Sequence, residues 1–188
     1  MKRIATALLT LAAWGAGPLV ADPLHKIGND GTWVHVDSGW LFARSVAGFE
    51  RVGQPYSIDG NDDAGAEYRL AAAMAEVEIY SADSAAPGAT LEGAKAVAAS
   101  KAGDTAQAQS EVPYRVEALK AANGVKVRYA AKKRREGPEI HLYYFATDRW
   151  RVKILINTDN RGAPTDEALD AFVRALPWTS LGTDSGLH

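Results

Sequence analysis

The chain has 188 residues, 47% of them hydrophobic and 23% charged, with 21 Lys and Arg against 23 Asp and Glu and no cysteine. Those proportions belong to a folded globular protein and exclude both a disordered chain and one with the charge excess of a general nucleic-acid binder. The missing cysteine excludes disulfides, thiolate metal sites, a cysteine nucleophile and the acylated cysteine of a lipoprotein.

Lys2 and Arg3 precede an apolar run from Ile4 through Trp14, and Gly15, Gly17 and Pro18 lead to Leu19-Val20-Ala21 before Asp22. This charged, apolar, small-residue order reads as a secretory signal peptide over residues 1–21, cleaved after Ala21. The rival is an uncleaved anchor, but Ile4 to Val20 is 17 residues and ends in helix breakers, short of the ~20 that a spanning helix needs. Removing residues 1–21 from the 188 leaves 167, read as a single domain over 22–188 with loose ends near 22–31 and 179–188. The expected location is the periplasm or the exterior, with no membrane span in the mature form. Loss of Lys2 and Arg3 moves the net charge from −2 to −4, which gives no global attraction to nucleic acid or to anionic membranes.

Trp33, Val34 and Val36 predict a strand, and Phe49 to Val52 and Tyr56 to Ile58 flank the breaker Gly53-Gln54-Pro55. Asp59, Asn61 and Asp63 match the first three oxygen positions of an EF-hand loop. Ala64 stands where that loop needs glycine and Leu70 where it needs glutamate, so the segment reads as an acidic turn, with a non-EF calcium loop as the alternative. Glu67 to Ala75 reads as helix by its alanines and as strand by the alternation of Tyr68 and Leu70 with Glu67 and Arg69; strand pairing is preferred. Val77, Ile79 and Tyr80 alternate with Glu76 and Glu78, a strand with an acidic face. Thr90 to Lys101 predicts a helix with a shallow stripe of Leu91, Ala94, Val97 and Ala98, stopped by Gly103. Tyr114 to Ala121 is a further candidate strand, feeding a turn at Asn123-Gly124.

The clearest pattern follows. Val125, Val127 and Tyr129, then Ile140, Leu142 and Tyr144, then Trp150, Val152, Ile154 and Ile156 each repeat with period two. A two-residue loop at Glu136-Gly137 sets Lys132 opposite His141 and Arg128 opposite Phe145. A three-residue loop over residues 147–149 sets Phe145 opposite Arg151 and Tyr143 opposite Lys153, so an antiparallel three-stranded meander is expected. Pro164, Asp166 and Glu167 open a last helix whose Leu169, Phe172, Val173 and Leu176 form one stripe, ended by Pro177 and expected to pack on the Val, Ile and Tyr face of the meander. The fold class read from this order is α+β: an antiparallel sheet including that meander, packed against the C-terminal helix and a second helix.

No residue is assigned to catalysis and none to metal or cofactor binding. There is no G-x-S-x-G elbow, and Asp37-Ser38-Gly39 and Asp184-Ser185-Gly186 are ordinary turn sequences. His25, His35, His141 and His188 are scattered without a zinc motif, although His35 and His141 meet if their strands are neighbours. No dinucleotide fingerprint or P-loop occurs. The candidate site is the other face of the meander, where those registers interleave Lys126, Arg128 and Lys132 with His141, Tyr143 and Phe145 and with Arg151 and Lys153. Such a face suits an anionic ligand or an acidic envelope partner through charge and cation–π contact. The alternative is a solvated face, or one paired with the acidic strands, and Lys132-Lys133-Arg134-Arg135 alone reads as a hairpin tip.

Gly39-Trp40-Leu41-Phe42, Ala47-Gly48-Phe49-Glu50-Arg51, the acidic turn, the strand ending Val77-Glu78-Ile79-Tyr80, a helix and a closing strand-helix unit resemble, in element order, small exported bacterial proteins of unassigned activity. The same order resembles the α+β sandwich of PsbP-type extrinsic proteins. The resemblance implies binding or assembly rather than catalysis and supplies no catalytic positions. The expected protein is therefore an exported, non-enzymatic binding domain; its rivals are a carboxylate-dependent hydrolase of the envelope and a structural envelope component without a discrete site.

Overall fold

The computed structural model describes residues 22–58, 62–103, 106–119, 123–131, 138–159 and 162–182. The expected leader, Asp59 to Asn61 of the acidic turn, the basic tip Lys132 to Arg135, the loop at Glu136-Gly137, Asp184 to Gly186 and His188 lie outside the described residues.

The chain opens with three short strands, β1 (Leu24–Ile27), β2 (Thr32–His35) and β3 (Trp40–Phe42), which form an antiparallel sheet of their own. β4 (Ser45–Val46), β5 (Phe49–Ile58), β6 (Asp63–Leu70) and β7 (Ala73–Ser81) follow. A 3-10 turn (Pro87–Ala89) leads into α1 (Leu91–Ala102), then come β8 (Ala106–Tyr114), β9 (Asn123–Ala131), β10 (Glu139–Ala146) and β11 (Trp150–Thr158). The chain closes with α2 (Asp166–Ala175) and α3 (Thr179–Gly182). The second sheet is antiparallel throughout, in the order β4-β5-β6-β7-β11-β10-β9-β8.

This overturns the α+β expectation. Strand makes up 51% and helix 20% of the described residues, so the fold is largely β, and the three C-terminal strands are part of one eight-stranded sheet rather than a separate meander. The joint is β11, which pairs with β7 from Trp150 opposite Ser81 to Thr158 opposite Ala73 and so zips the two halves together. β8 ends at Tyr114, where the sequence predicts a strand beginning.

The registers also differ from expectation. Arg128 lies opposite His141, and Gly124 opposite Phe145. Between β10 and β11, Phe145 faces Val152 and Tyr143 faces Ile154, one residue away from the expected pairing. The cause is the turn: the Trp150 N–H donates to Thr147 Oγ1 at 3.0 Å and the Thr147 N–H to the Trp150 carbonyl at 2.9 Å, which pairs Thr147 with Trp150 and leaves only residues 148–149 in the loop. A slip of one residue moves a whole strand's side chains to the other face.

Both faces are consequently buried. On one, Phe49, Tyr68, Val77, Tyr143, Phe145, Val152 and Ile154 meet Leu169, Phe172 and Val173 of α2, with Trp40, Phe42 and Trp178 in the same cluster. On the other, Val127, Tyr129, Ile140, Leu142, Tyr144 and Leu155 meet Ala94, Ala98 and Ala102 of α1. Of the face expected under the last helix, the β9 and β10 part therefore lies under α1 and the β11 part, with Val152 and Ile154, under α2, which also covers the β9 and β10 residues expected to bind ligand. α1 begins at Thr90, whose Oγ1 accepts the Gly93 N–H at 3.1 Å, and α2 begins at Thr165, capping Ala168, one residue after the Pro164 expected in its first turn.

Candidate functional site

The one-residue slip divides the predicted basic-aromatic face. Lys126, Arg128, His141, Tyr143 and Phe145 stay together, while Arg151 and Lys153 turn to the opposite side of the sheet. What remains together is neutralised from within. Lys126 Nζ pairs with Asp170 Oδ1 of α2 at 2.9 Å and lies 5.0 Å from the Tyr143 ring centre, and the Tyr143 hydroxyl donates to the same carboxylate oxygen at 2.6 Å. Burial raises the Asp170 carboxyl, but the hydrogen bonds from Lys126 and Tyr143 outweigh it and hold that carboxyl below its ordinary range. Burial first, then the bond to Asp170, keeps the Tyr143 hydroxyl protonated far above the usual phenol range. Arg128 Nε lies 3.0 Å from Glu139 Oε1, and His141 Nε2 3.3 Å from that oxygen. The His141 ring is buried, with Nδ1 3.8 Å from Asp166 Oδ1, and burial lowers its affinity for a proton against the pull of Glu139 and Asp166. Phe145 is in the core beside Trp178, ring centres 4.5 Å apart. Arg151 donates to the carbonyls of Thr147 and Trp150.

His35, Ser38 and Asp63 are likewise engaged in the fold. His35 is fully buried and does not meet His141: it sits on β2, with Trp150 edge-on at 5.5 Å. Its Nε2 contacts the Asp62 carbonyl, which can only accept, so Nε2 carries the proton and Nδ1 accepts the Ser38 hydroxyl at 2.7 Å. Ser38 in turn accepts the Trp40 N–H at 3.1 Å, so this serine and histidine close a turn out of reach of any substrate. Asp63 is buried and accepts the Ser81 N–H at 2.8 Å and the Ser84 hydroxyl. Among the described residues, no group of three or more His, Asp and Glu is arranged to hold a metal ion.

Lys153 marks a different region. It lies directly opposite Glu78 on β7, and the two form a buried ion pair to which Tyr80 donates its hydroxyl and Tyr56 donates at 3.3 Å. Burial first and the Glu78 charge second push both tyrosine hydroxyls well above their ordinary range. The 3-10 turn closes over this cluster at Gly88, where a Cβ would stand 2.9 Å from Lys153 Nζ and closer still to the Tyr80 hydroxyl. The Tyr144 hydroxyl, donating to the Ala89 carbonyl at 2.7 Å, ties the same turn to the sheet.

Beyond that turn runs an open groove of about 590 Å3, bounded by Ser84 to Pro87 on one side and by Thr90, Gly93, Ala96, Val97, Ser100 and Lys101 of the α1 segment on the other. Gly93 lets α1 pack closely on the 3-10 turn, since a Cβ there would overlap the Pro87 carbonyl. Among the described residues Lys101 is the only charged one in the lining, and it is ion-paired to Glu76 of β7. Among the described residues no carboxylate of the acidic strands lines the groove. Sequence reading found the helix and a stripe that includes Val97 but not the neighbouring row at Gly93, Ala96 and Ser100, because small residues give no amphipathic signal; Pro87-Gly88 just before the helix was the available cue. Comparison with known protein families and with characterised proteins finds no match to this chain. No helix of the described residues is long and apolar enough to cross a membrane.

Proposed function

We propose that this protein is an exported, non-enzymatic domain that binds a ligand of the cell envelope in the groove beside α1. The observation that carries this reading is the contrast between two surfaces. The cations left together on the meander face are paired within the fold, Lys126 by Asp170 and Arg128 by Glu139, whereas the groove is concave, mostly lined by small apolar and hydroxyl residues, and of the size usual for small-molecule sites, about 300–1,000 Å3. Export rests on the charged, apolar and small-residue order of residues 1–21. The hydrolase alternative draws no support from the groove, whose lining has neither a carboxylate nor a histidine to move a proton.

The test is capture of envelope material by the protein and two variants. Ala96→Trp fills the groove from the exposed side of α1 and should abolish capture, while Arg128→Gln, on the meander face, should leave it intact. Loss with Arg128→Gln and retention with Ala96→Trp would return the site to the meander.

A further inference from the structure

Resting on the groove reading, we propose that the 84–87 wall of the groove is a proton-operated lip, latched through Asp63 by the buried ring of His35 and released when that ring takes up a proton. The wall is held at two ends. At one, Gly88 packs against Tyr80 and Lys153, and the Ala89 carbonyl accepts the Tyr144 hydroxyl at 2.7 Å. At the other, the buried Asp63 carboxylate accepts the Ser81 N–H at 2.8 Å and the Ser84 hydroxyl, and Ser84 Oγ accepts the Ala86 N–H at 3.2 Å. Freeing Ser84 from Asp63 therefore leaves residues 84–86 hinged at Gly88-Ala89, and the groove loses one side.

The residue before Asp63 is bonded to the ring. The Asp62 carbonyl accepts the His35 Nε2 proton and Nδ1 accepts the Ser38 hydroxyl, so the neutral ring uses both nitrogens. Leu24 of β1 and Trp40 of β3 lie directly opposite it, and Trp150 of β11 stands edge-on; none carries a charge. The charged groups that act on it are Asp37 of its own turn and Asp62 and Asp63 at the start of β6. A proton added at Nδ1 takes the acceptor from the Ser38 hydroxyl and creates an imidazolium with no exposed surface. Its charge draws the Asp63 carboxylate away from Ser84, and hydration of the ring favours separation of residues 62–63 from the lip. In the closed state burial outweighs the three carboxylates and lowers the ring's affinity for a proton. The opened state takes it up near pH 6.5, so the opened population rises by up to about tenfold per pH unit below that value.

Amide hydrogen exchange from pH 7.5 to 5.5, corrected for the intrinsic rate, tests the latch without any ligand. Protection of the Ser81 and Ala86 amides should fall by roughly three- to tenfold per pH unit below about pH 6.5, while Ile154 in the middle of β11 keeps its protection. That comparison needs no variant. His35→Gln should remove the dependence and His141→Gln should keep it, and Ser84→Ala should leave Ala86 unprotected at every pH. Movement of the lip is read from two nitroxide labels on Ala85→Cys and Ala96→Cys, in a chain without other cysteines. The distance between them should lengthen from pH 7.5 to 5.5, and not in the His35→Gln background. An equal fall of protection at Ile154, a dependence that survives His35→Gln, or protection indifferent to pH would overturn the latch, and an unchanged label distance would overturn the lip. Capture of envelope material retained in Ala96→Trp would instead remove the groove reading and leave the exchange and distance results standing.

Discussion

Lys153 and Glu78 are an ion pair withdrawn from water in the middle of a sheet, with 5% and 12% of their side chains exposed. Such a pair contributes little net stability, but removing one partner strands the other. Lys153→Met alone should therefore lower the stability to urea unfolding by about 3–5 kcal/mol, and Lys153→Met with Glu78→Gln should recover most of the loss, because the neutral amide accepts from one tyrosine hydroxyl and donates to the oxygen of the other. Equal losses in the single and double variants would contradict this account. Gly88→Ala is expected to cost about 1–3 kcal/mol through overpacking against Tyr80 and Lys153. His141 gives the residue-scale dependence on pH. Glu139 of β10 and Asp166 of α2 face it from one sign, Lys126 and Arg128 of β9 from the other, and burial prevails to lower its pKa in the folded protein. The unfolded chain takes up this proton near pH 6.5 and the folded chain resists it, so stability is full above about pH 6.5 and falls as the pH drops toward the folded value. His35, depressed by its own burial, adds to the same window. Melting temperature followed from pH 7.5 to 5 should decline, less steeply in His141→Gln; parallel curves would remove His141 from the account.

At the scale of elements, α2 is the clamp on the main core. Phe172 lies 4.3 Å from the Phe49 ring centre and 5.5 Å from that of Tyr68, and Asp170, two residues earlier, reaches Lys126 and Tyr143 at the edge of the same contact. Phe172→Ala should cost about 3–5 kcal/mol in urea unfolding, and Asp170→Ala about 1–2 after allowance for partial exposure. The α2 stripe was legible in the sequence because its apolar spacing is strict. Its docking face was not, because every residue of β10 from Ile140 to Phe145 is buried and a period of two cannot choose between two apolar faces. β8 escaped detection for the opposite reason: Gln107 to Pro113 is exposed throughout, so no apolar alternation marks it. Among the described residues the expected pairing of acidic strands with meander cations occurs at Glu78 and Lys153, and the turn containing Thr147 decided which cations could take part.

Across the molecule, charge and concavity are separated. The acidic total read from composition says little about binding, because the ion pairs from Lys126 to Asp170, Arg128 to Glu139 and Lys153 to Glu78 hold sheet and helices together internally. α1, resting on the sheet through alanines, leaves small residues along its free side and a groove against the 84–87 segment. Residue chemistry suggested the meander face; only the topology, which seats a helix on each side of one sheet, moves the candidate site to α1. The most direct measurement is the hydrogen-exchange footprint of the material captured from the envelope. Added protection confined to residues 84–101, with 126–128, 141–145 and 151–153 unchanged, is the predicted result. Protection on those meander segments with none at 84–101 would contradict the account.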